Sequence, residues 1–284
     1  MMIVIDSLSK WKNVRSTIES DKEIGFVPTM GDLHPGHISL IERSKAQNEV
    51  TVLSIFVNPT QFDDIKDFSN YRRTLEEDLS IAKSQLVDYV LVPNVDEMYH
   101  DNYNYQVKEQ AISSVLEGEH RKGHFEGVLT VVMKLLLLVK PHRAYFGEKD
   151  YQQLCLIQAM VEAFFLDIKI VPCPTVRENS GLAMSSRNGR LSSSDRKKAA
   201  FLYECLSLLN DEIEIANRLT KNGFVVEYIK QWQGRMFGAV QLNGVRLIDN
   251  CIIECTIPTT DHFSGTCIRS CELRTDKQTR KNEV

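Results

Sequence analysis

Residues 24–41 read Ile-Gly-Phe-Val-Pro-Thr-Met-Gly-Asp-Leu-His-Pro-Gly-His-Ile-Ser-Leu-Ile. Ile24 to Pro28 has the apolar content of a strand, and the residues from Gly36 onward fit a helix. The Gly-, Pro- and His-containing stretch between them is therefore a strand-to-helix loop. Outward from this junction the pattern repeats. Val50 to Val57, Tyr89 to Val92, Ala144 to Phe146 and Ile168 to Val171 are further candidate strands with helical stretches between them. Such alternation predicts an α/β fold built on a parallel sheet. In open parallel sheets ligands bind beyond the carboxyl ends of the strands, so the loops that follow the strands are where chemistry is expected.

Beyond Pro172-Cys173-Pro174 the alternation weakens, and Ser192 to Leu209 reads as one capped amphipathic helix opening a second, smaller domain. Val225 to Leu247 holds short elements of ambiguous period. The longest apolar stretch, Val128 to Val139, is interrupted by Lys134 and falls short of the roughly 20 residues that span a bilayer, so it reads as a buried helix.

Four loops carry candidate chemistry. In the first, Met30 to His37, the N-terminus of the following helix offers free N–H groups and a positive dipole end to a phosphate. Gly36 lets backbone approach closely, and His34 and His37 add titratable donors. Two surface histidines are the plain alternative. A zinc site on this pair is disfavoured, because no acidic residue stands between them and Pro35-Gly36 argues against a helix running through both. The second loop, Phe56 to Phe62, presents Gln61, whose amide can hold a hydroxyl and a carboxylate without neutralising the carboxylate. In the third, Tyr145 to Leu154, Gly147 sits at the turn, Lys149 is a compact charge suited to phosphate, and Gln153 follows one turn later. The fourth, Thr175 to Asn188, combines Ser185, Ser186 and the planar donor fork of Arg187 in a hinge-like segment able to close over a triphosphate.

The 284 residues include 34 Lys plus Arg against 38 Asp plus Glu, a net charge of −4, with no dense basic block. A nucleic-acid ligand is not expected. The opening Met1-Met2-Ile3-Val4-Ile5-Asp6 lacks the form of a signal peptide, no membrane span is expected, and seven scattered cysteines suit reduced thiols. A cytoplasmic protein is the resulting expectation.

Taken in order, PTMGDLHPGH (28–37), VNPTQF (57–62), GHFEGVLTVV (123–132), FGEKDYQQL (146–154) and RENSGLAMSSRN (177–188) closely resemble the motifs of the pantothenate synthetase family, within the HIGH-motif nucleotidyltransferase group. The resemblance implies a Rossmann-like domain over residues 1–174 that binds ATP and pantoate, a smaller α+β lid over 175–261, and a homodimer. It implies adenylation of pantoate by ATP with Mg²⁺, then capture of the acyl adenylate by beta-alanine. It assigns Met30, Gly31, Asp32, Leu33, His34, Pro35, Gly36, His37, Gly147, Glu148, Lys149, Asp150, Val176, Met184, Ser185, Ser186 and Arg187 to ATP. Gln61 and Gln153 go to pantoate, and Gln61 also to beta-alanine. His37 matches the family's proton donor, and His34, Lys149 and Arg187 complete the catalytic group; the Mg²⁺ ligands stay unassigned.

Some positions depart from the family pattern. Thr60 stands where Met is more common, Arg73 where Pro is usual, and Ser180 where Asp is frequent. Gly244 to Asn250 resembles the family's late signature, but the interval from Asn188 to it looks short, which predicts a reduced lid. Residues 262–284 have no counterpart in the family. Two other readings compete. Another HIGH-type nucleotidyltransferase would activate a different small acid, against which the paired amides Gln61 and Gln153 favour pantoate. A metal or interaction module would use Cys251, Cys255, Cys267 and Cys271 with His262 between the pairs, although Cys251 and Cys255 bracket Ile252 and Ile253 as buried strand residues would.

Overall fold

Six parallel strands form the larger sheet: β1 (Ile3–Ile5), β2 (Ile24–Thr29), β3 (Val50–Ile55), β4 (Tyr89–Leu91), β5 (Arg143–Gly147) and β6 (Lys169–Cys173), in the order β1-β4-β3-β2-β5-β6. They come from a computed structural model that describes residues 2–253. Alternation along each strand sends side chains to two layers. Phe26, Val52, Ala144 and Phe146 join the core with Trp11 and the apolar faces of helices His124–Val139 and Tyr151–Ala163. Val27, Leu53, Val90 and Tyr145 pack with Leu40 and Ile41 of helix Pro35–Gln47 and Ala82 of helix Leu75–Ser84. Both faces are covered, which is why the strands read as continuous apolar runs.

The strand order reverses at β2, whose two neighbours are β3 and β5. β2 pairs with β3 along its whole length, Ile24↔Val50 through Thr29↔Ile55, but with β5 only at Gly25↔Arg143 and Phe26↔Ala144. Beyond that point the two central strands part. His142 N donates to Ile24 O, so by alternation Ile24, Phe26 and Pro28 turn their backbone groups toward β5. Pro28 therefore lacks its N–H on the side where the strands separate, and a proline is tolerated inside a central strand because no ladder bond is made there.

Residues 225–252, of ambiguous period in the sequence, form an antiparallel sheet of β7 (Val225–Trp232), β8 (Arg235–Leu242) and β9 (Val245–Ile252). Two-residue turns join them, with positive φ at Gln233 (47°), Gly234 (71°), Asn243 (48°) and Gly244 (79°), the pattern of a type I′ hairpin turn. The fold is thus α/β with a smaller antiparallel sheet following it. The segment expected as one helix from Ser192 to Leu209 is instead two, Ser193–Ala199 and Phe201–Leu208. Only the second has an apolar stripe, Leu202, Cys205 and Leu206, to bury against the sheet. The first is polar except for Ala199, with the expected Ser192 cap accepting from Asp195 N at 3.1 Å.

A buried ionic cluster ties β7–β9 to the segment before helix His124–Val139. Arg246 donates to Glu117 at 2.7 and 2.8 Å, and the Tyr228 hydroxyl donates to Glu117 Oε1 at 2.7 Å. Burial alone would raise the Glu117 pKa, but these donors and the charges of Arg246 and Arg121 outweigh it and hold the carboxyl at about 2.

Candidate active site

The parted ends of β2 and β5 open into one cavity, floored by Pro28, Thr29, Tyr145 and Phe146, at the position where the strand order reverses. Of the residues named from the sequence, it is lined by Met30, His34, Gly36, His37, Gln61, Gly147, Lys149, Asp150, Gln153, Val176, Met184, Ser185, Ser186 and Arg187. Five named residues are not part of the lining. Gly31 (φ 81°) and Asp32 (φ 49°) make the left-handed bend that leads into the helix. Leu33 is buried in the core, Pro35 is the exposed first residue of the helix, and Glu148 faces Arg235 at 3.5 Å.

The loop's shape depends on Asp78, which the sequence did not single out. It is 1 % exposed and accepts from Asp32 N (3.0 Å) and Leu33 N (2.8 Å). A Cβ on Gly31 would lie 2.9 Å from its Oδ2, so glycine serves both the bend and this close approach.

Helix Pro35–Gln47 begins with a capping box made by the two histidines. Gly36 N donates to His34 Nδ1 at 3.1 Å and His34 N to His37 Nδ1 at 3.3 Å, and the rings stack with centroids 4.0 Å apart. The helix starts after His34, with Pro35 at its first position, where a missing N–H costs nothing. Since both Nδ1 atoms accept, the ring hydrogens belong on the Nε2 atoms. Burial, followed by the Lys149 charge, lowers His34 to about 4; burial, followed by His34 and Lys149, lowers His37 to about 3. At neutral pH these are two uncharged N–H donors beside an ammonium. Among the described residues no three His, Cys, Asp or Glu side chains gather as a metal cage.

Lys149 occupies a single 3₁₀ turn, Glu148–Asp150, between β5 and helix Tyr151–Ala163, with Asp150 Oδ1 3.6 Å from its Nζ. Its relation to Gln153 is thus across a turn-to-helix junction and not along one helix, yet both line the cavity. The adjacent glutamine faces elsewhere: Gln152, 3 % exposed, donates to Ile112 O and Val115 O and accepts from Glu117 N. Arg187 is held by Asp67 at 2.7 Å, which also pairs with Arg190 at 2.9 Å. Ser186 Oγ donates to Asp32 O at 3.2 Å, joining the fourth loop to the first.

At the other end, Gln61 is oriented by Asn58. Asn58 is fully buried; its Nδ2 donates to Gln61 Oε1 (3.0 Å) and Gly127 O (3.2 Å), and its Oδ1 accepts from Tyr99 Oη (2.6 Å). With its oxygen engaged by Asn58, the amide of this lining residue keeps its NH₂ as the donor end. Helix His124–Val139 can approach this turn because residue 127 is glycine: a Cβ there would fall 2.3 Å from Thr60 O. Arg121 and His124 also line the cavity. His124 Nδ1 contacts Gln61 O at 2.8 Å, and burial, then Arg121, lowers its pKa to about 4.

Residues 3–252 match the family model for pantoate-beta-alanine ligase. The chain belongs to the pantoate-beta-alanine ligase family. It is 50% identical over 252 residues to the pantothenate synthetase of Legionella pneumophila, covering 89% of this chain and 100% of that one. It is 52% identical over 250 residues to that of Coxiella burnetii, covering 88% and 96%. Among solved structures it resembles a Francisella tularensis pantoate-beta-alanine ligase complexed with beta-gamma ATP and beta-alanine (TM-score 0.84, 42% identity, covering 89% of this chain and 98% of that one). It also resembles the pantothenate synthetase of Thermus thermophilus (TM-score 0.80, 37% identity, covering 88% and 98%).

The part after Asn188 aligns with the Legionella pantothenate synthetase to the end of that chain, whose whole length is covered. Asp78, Asn58, Arg121 and His124 were missed as site residues: each lies on a different element, without a local signature. His124 and Gly127 do fall inside the GHFEGVLTVV stretch that carried the resemblance. Cys251 lies on β9, with Sγ 2.9 Å from Leu206 O and its thiol pushed up to about 11 by burial, which disfavours the thiolate a metal would need. Cys255, His262, Cys267 and Cys271, and the tail 262–284, lie outside the described residues. No helix among the described residues is long and apolar enough to cross a membrane.

Proposed function

We infer that this chain joins pantoate to beta-alanine in an ATP-dependent reaction. The observation that carries the reading is one shared cavity lined by two neutral imidazole donors, Lys149, Arg187 and the amides Gln61 and Gln153. The pantoate carboxylate attacks the α-phosphorus of ATP, the bond to pyrophosphate breaks, and pantoyl adenylate forms. The beta-alanine amine then attacks the acyl carbon, AMP leaves with the acyl C–O bond electrons, and the amine proton is released.

Negative charge grows on the phosphoryl oxygens and departing pyrophosphate in the first step. Lys149, Arg187 and the Nε2–H groups of His34 and His37 stabilise it without reorganising. Gln61 and Gln153 donate to pantoate and leave its carboxylate charged and nucleophilic. Of the other residues assigned to ATP, Gly31, Asp32, Leu33 and Pro35 shape the entry to the helix, Met30, Gly36, Gly147, Val176, Met184, Ser185 and Ser186 line the cavity, and Glu148 turns to Arg235. Arg121, beside Gln61, is the cation suited to the beta-alanine carboxylate, with Arg121 Nη2 3.5 Å from Gln61 O.

Asp150 is the one carboxylate in the cavity lining among the described residues. Asp150 would hold an Mg²⁺ that arrives with ATP, the one-carboxylate setting in which that ion is commonly bound. Mg²⁺ neutralises phosphate charge when bound there. We take residues 175–261, described as far as 253, as the lid, and a cytoplasmic homodimer as the working form; sedimentation of the purified protein tests the dimer.

ATP–pyrophosphate exchange tests the reading. Exchange is expected to require pantoate and to proceed without beta-alanine. Exchange driven by another acid, or absent with pantoate, overturns it in favour of a different HIGH-type nucleotidyltransferase.

A further inference from the structure

Asn250 lies on β9, 2 % exposed, and does not line the cavity. Its Nδ2 donates to two consecutive carbonyls, Glu148 O at 3.0 Å and Lys149 O at 2.9 Å, and its Oδ1 accepts from Arg235 Nε at 2.6 Å. Arginine only donates, so this bond fixes which end of the amide is oxygen. Arg235 is itself held, with its guanidinium 4.3 Å from the Tyr151 ring centroid and 3.5 Å from the Glu148 carboxylate.

The turn that Asn250 grips has no side-chain cap of its own. Across a trans peptide, a carbonyl and the next N–H point in opposite directions. Binding the carbonyls of Glu148 and Lys149 therefore directs the N–H groups of Lys149 and Asp150 away from β9 and sets the backbone from which the Lys149 side chain departs. The neighbouring residue acts on the other nucleotide loop: Asp249 pairs with Arg177 at 2.6 and 3.0 Å, one residue beyond Val176.

We propose that Asn250 is a positioning residue for Lys149, so that the seating of the β7–β9 sheet is transmitted to the lysine that meets the triphosphate. The proposal rests on the reading of Lys149 given above. It gives the Gly244–Asn250 stretch a role in the reaction that no direct contact with the cavity supplies.

Asn250→Asp tests it, since the carboxylate keeps an acceptor for Arg235 and removes both donors to the turn. In pantoate-dependent exchange kcat should fall about 10- to 100-fold, the scale of a misplacement near 1 Å, while KM for pantoate stays within about twofold because Gln61 and Gln153 are untouched. In a Lys149→Ala background the same substitution should change kcat by less than about threefold, because the group it positions is gone. Equal losses in both backgrounds, or an Asn250→Asp enzyme within about twofold of the unaltered one, overturn the proposal. Asn250→Ser, which brings no charge against the carbonyls, carries the same cycle if Asn250→Asp does not fold. Near-normal kcat in Lys149→Ala alone refutes the reading of Lys149 and is seen without any change at Asn250.

Discussion

Glu117→Gln removes the charge from the centre of the cluster that ties the β7–β9 sheet to the short helix Glu117–His120. The unaltered carboxyl sits at about 2 in the folded chain, against an ordinary glutamate value near 4.3 when unfolded. A difference of somewhat over two pKa units corresponds to about 3 kcal/mol at neutral pH. Glu117 is 7 % exposed and takes two bonds from Arg246, so little of this is screened. The sign follows from the lowered pKa: the stabilisation is complete above the unfolded value and is lost as pH falls from about 4.3 toward 2. At pH 3 about 1 kcal/mol should remain. Urea unfolding of both proteins at pH 7 and pH 3 measures this, and thermal unfolding at pH 7 should show a midpoint lower by about 6–12 °C. A deficit below about 1 kcal/mol at pH 7, or one that does not shrink at pH 3, refutes the view that an ionised Glu117 clamps the β7–β9 sheet to this segment.

Three further outcomes follow from the cavity. Lys149→Ala should lower kcat for pantoate-dependent exchange by roughly 10² to 10³, the cost of losing one preorganised donor; near-normal turnover counts against its role. Gly127→Ala places a Cβ 2.3 Å from Thr60 O and should displace Gln61, raising KM for pantoate about tenfold and costing ~1–3 kcal/mol of stability, as calorimetry and initial rates would show. The imidazole signals of His34 and His37 in the unliganded protein should report Nε2–H tautomers that do not titrate between pH 5 and 8. Stability from keeping these rings neutral is complete above about pH 6.5 and is lost as pH falls from there toward about 4 for His34 and about 3 for His37; ring titration near 6.5 by nuclear magnetic resonance contradicts their burial.

The central strands were legible because they are buried on both faces, and β2 to β6 each carry an apolar run that propensity alone can find. β1 was not, since Ile3–Ile5 is three residues at an edge with Ile3 and Val4 exposed. The β7–β9 sheet had a readable sign in Asn243-Gly244, a type I′ pair between two runs, but β8 is buried at nearly every position and so shows no alternation. Helix Glu212–Lys221 likewise had a signal in Asp211, whose side chain accepts from Glu214 N, and in Ile215 and Leu219 one turn apart. In the site, residues that lie in one loop with a shared chemistry were visible. Asp78, Asn58 and Asn250 were not, because they act on the backbone or amide of another segment and their meaning exists only once the chain is folded.

Pro28 behaves like the stop on a zip fastener. The two middle strands are joined as far as Phe26 and Ala144 and no further, so the opening beneath the reactants is set by the main chain and not by the bulk of the residues around it. Any other amino acid at position 28 would supply an N–H facing β5 and give the strands a reason to close. A slot built this way owes its place to the backbone of β2 and β5, so the point where the reactants meet is fixed by the pairing of the sheet.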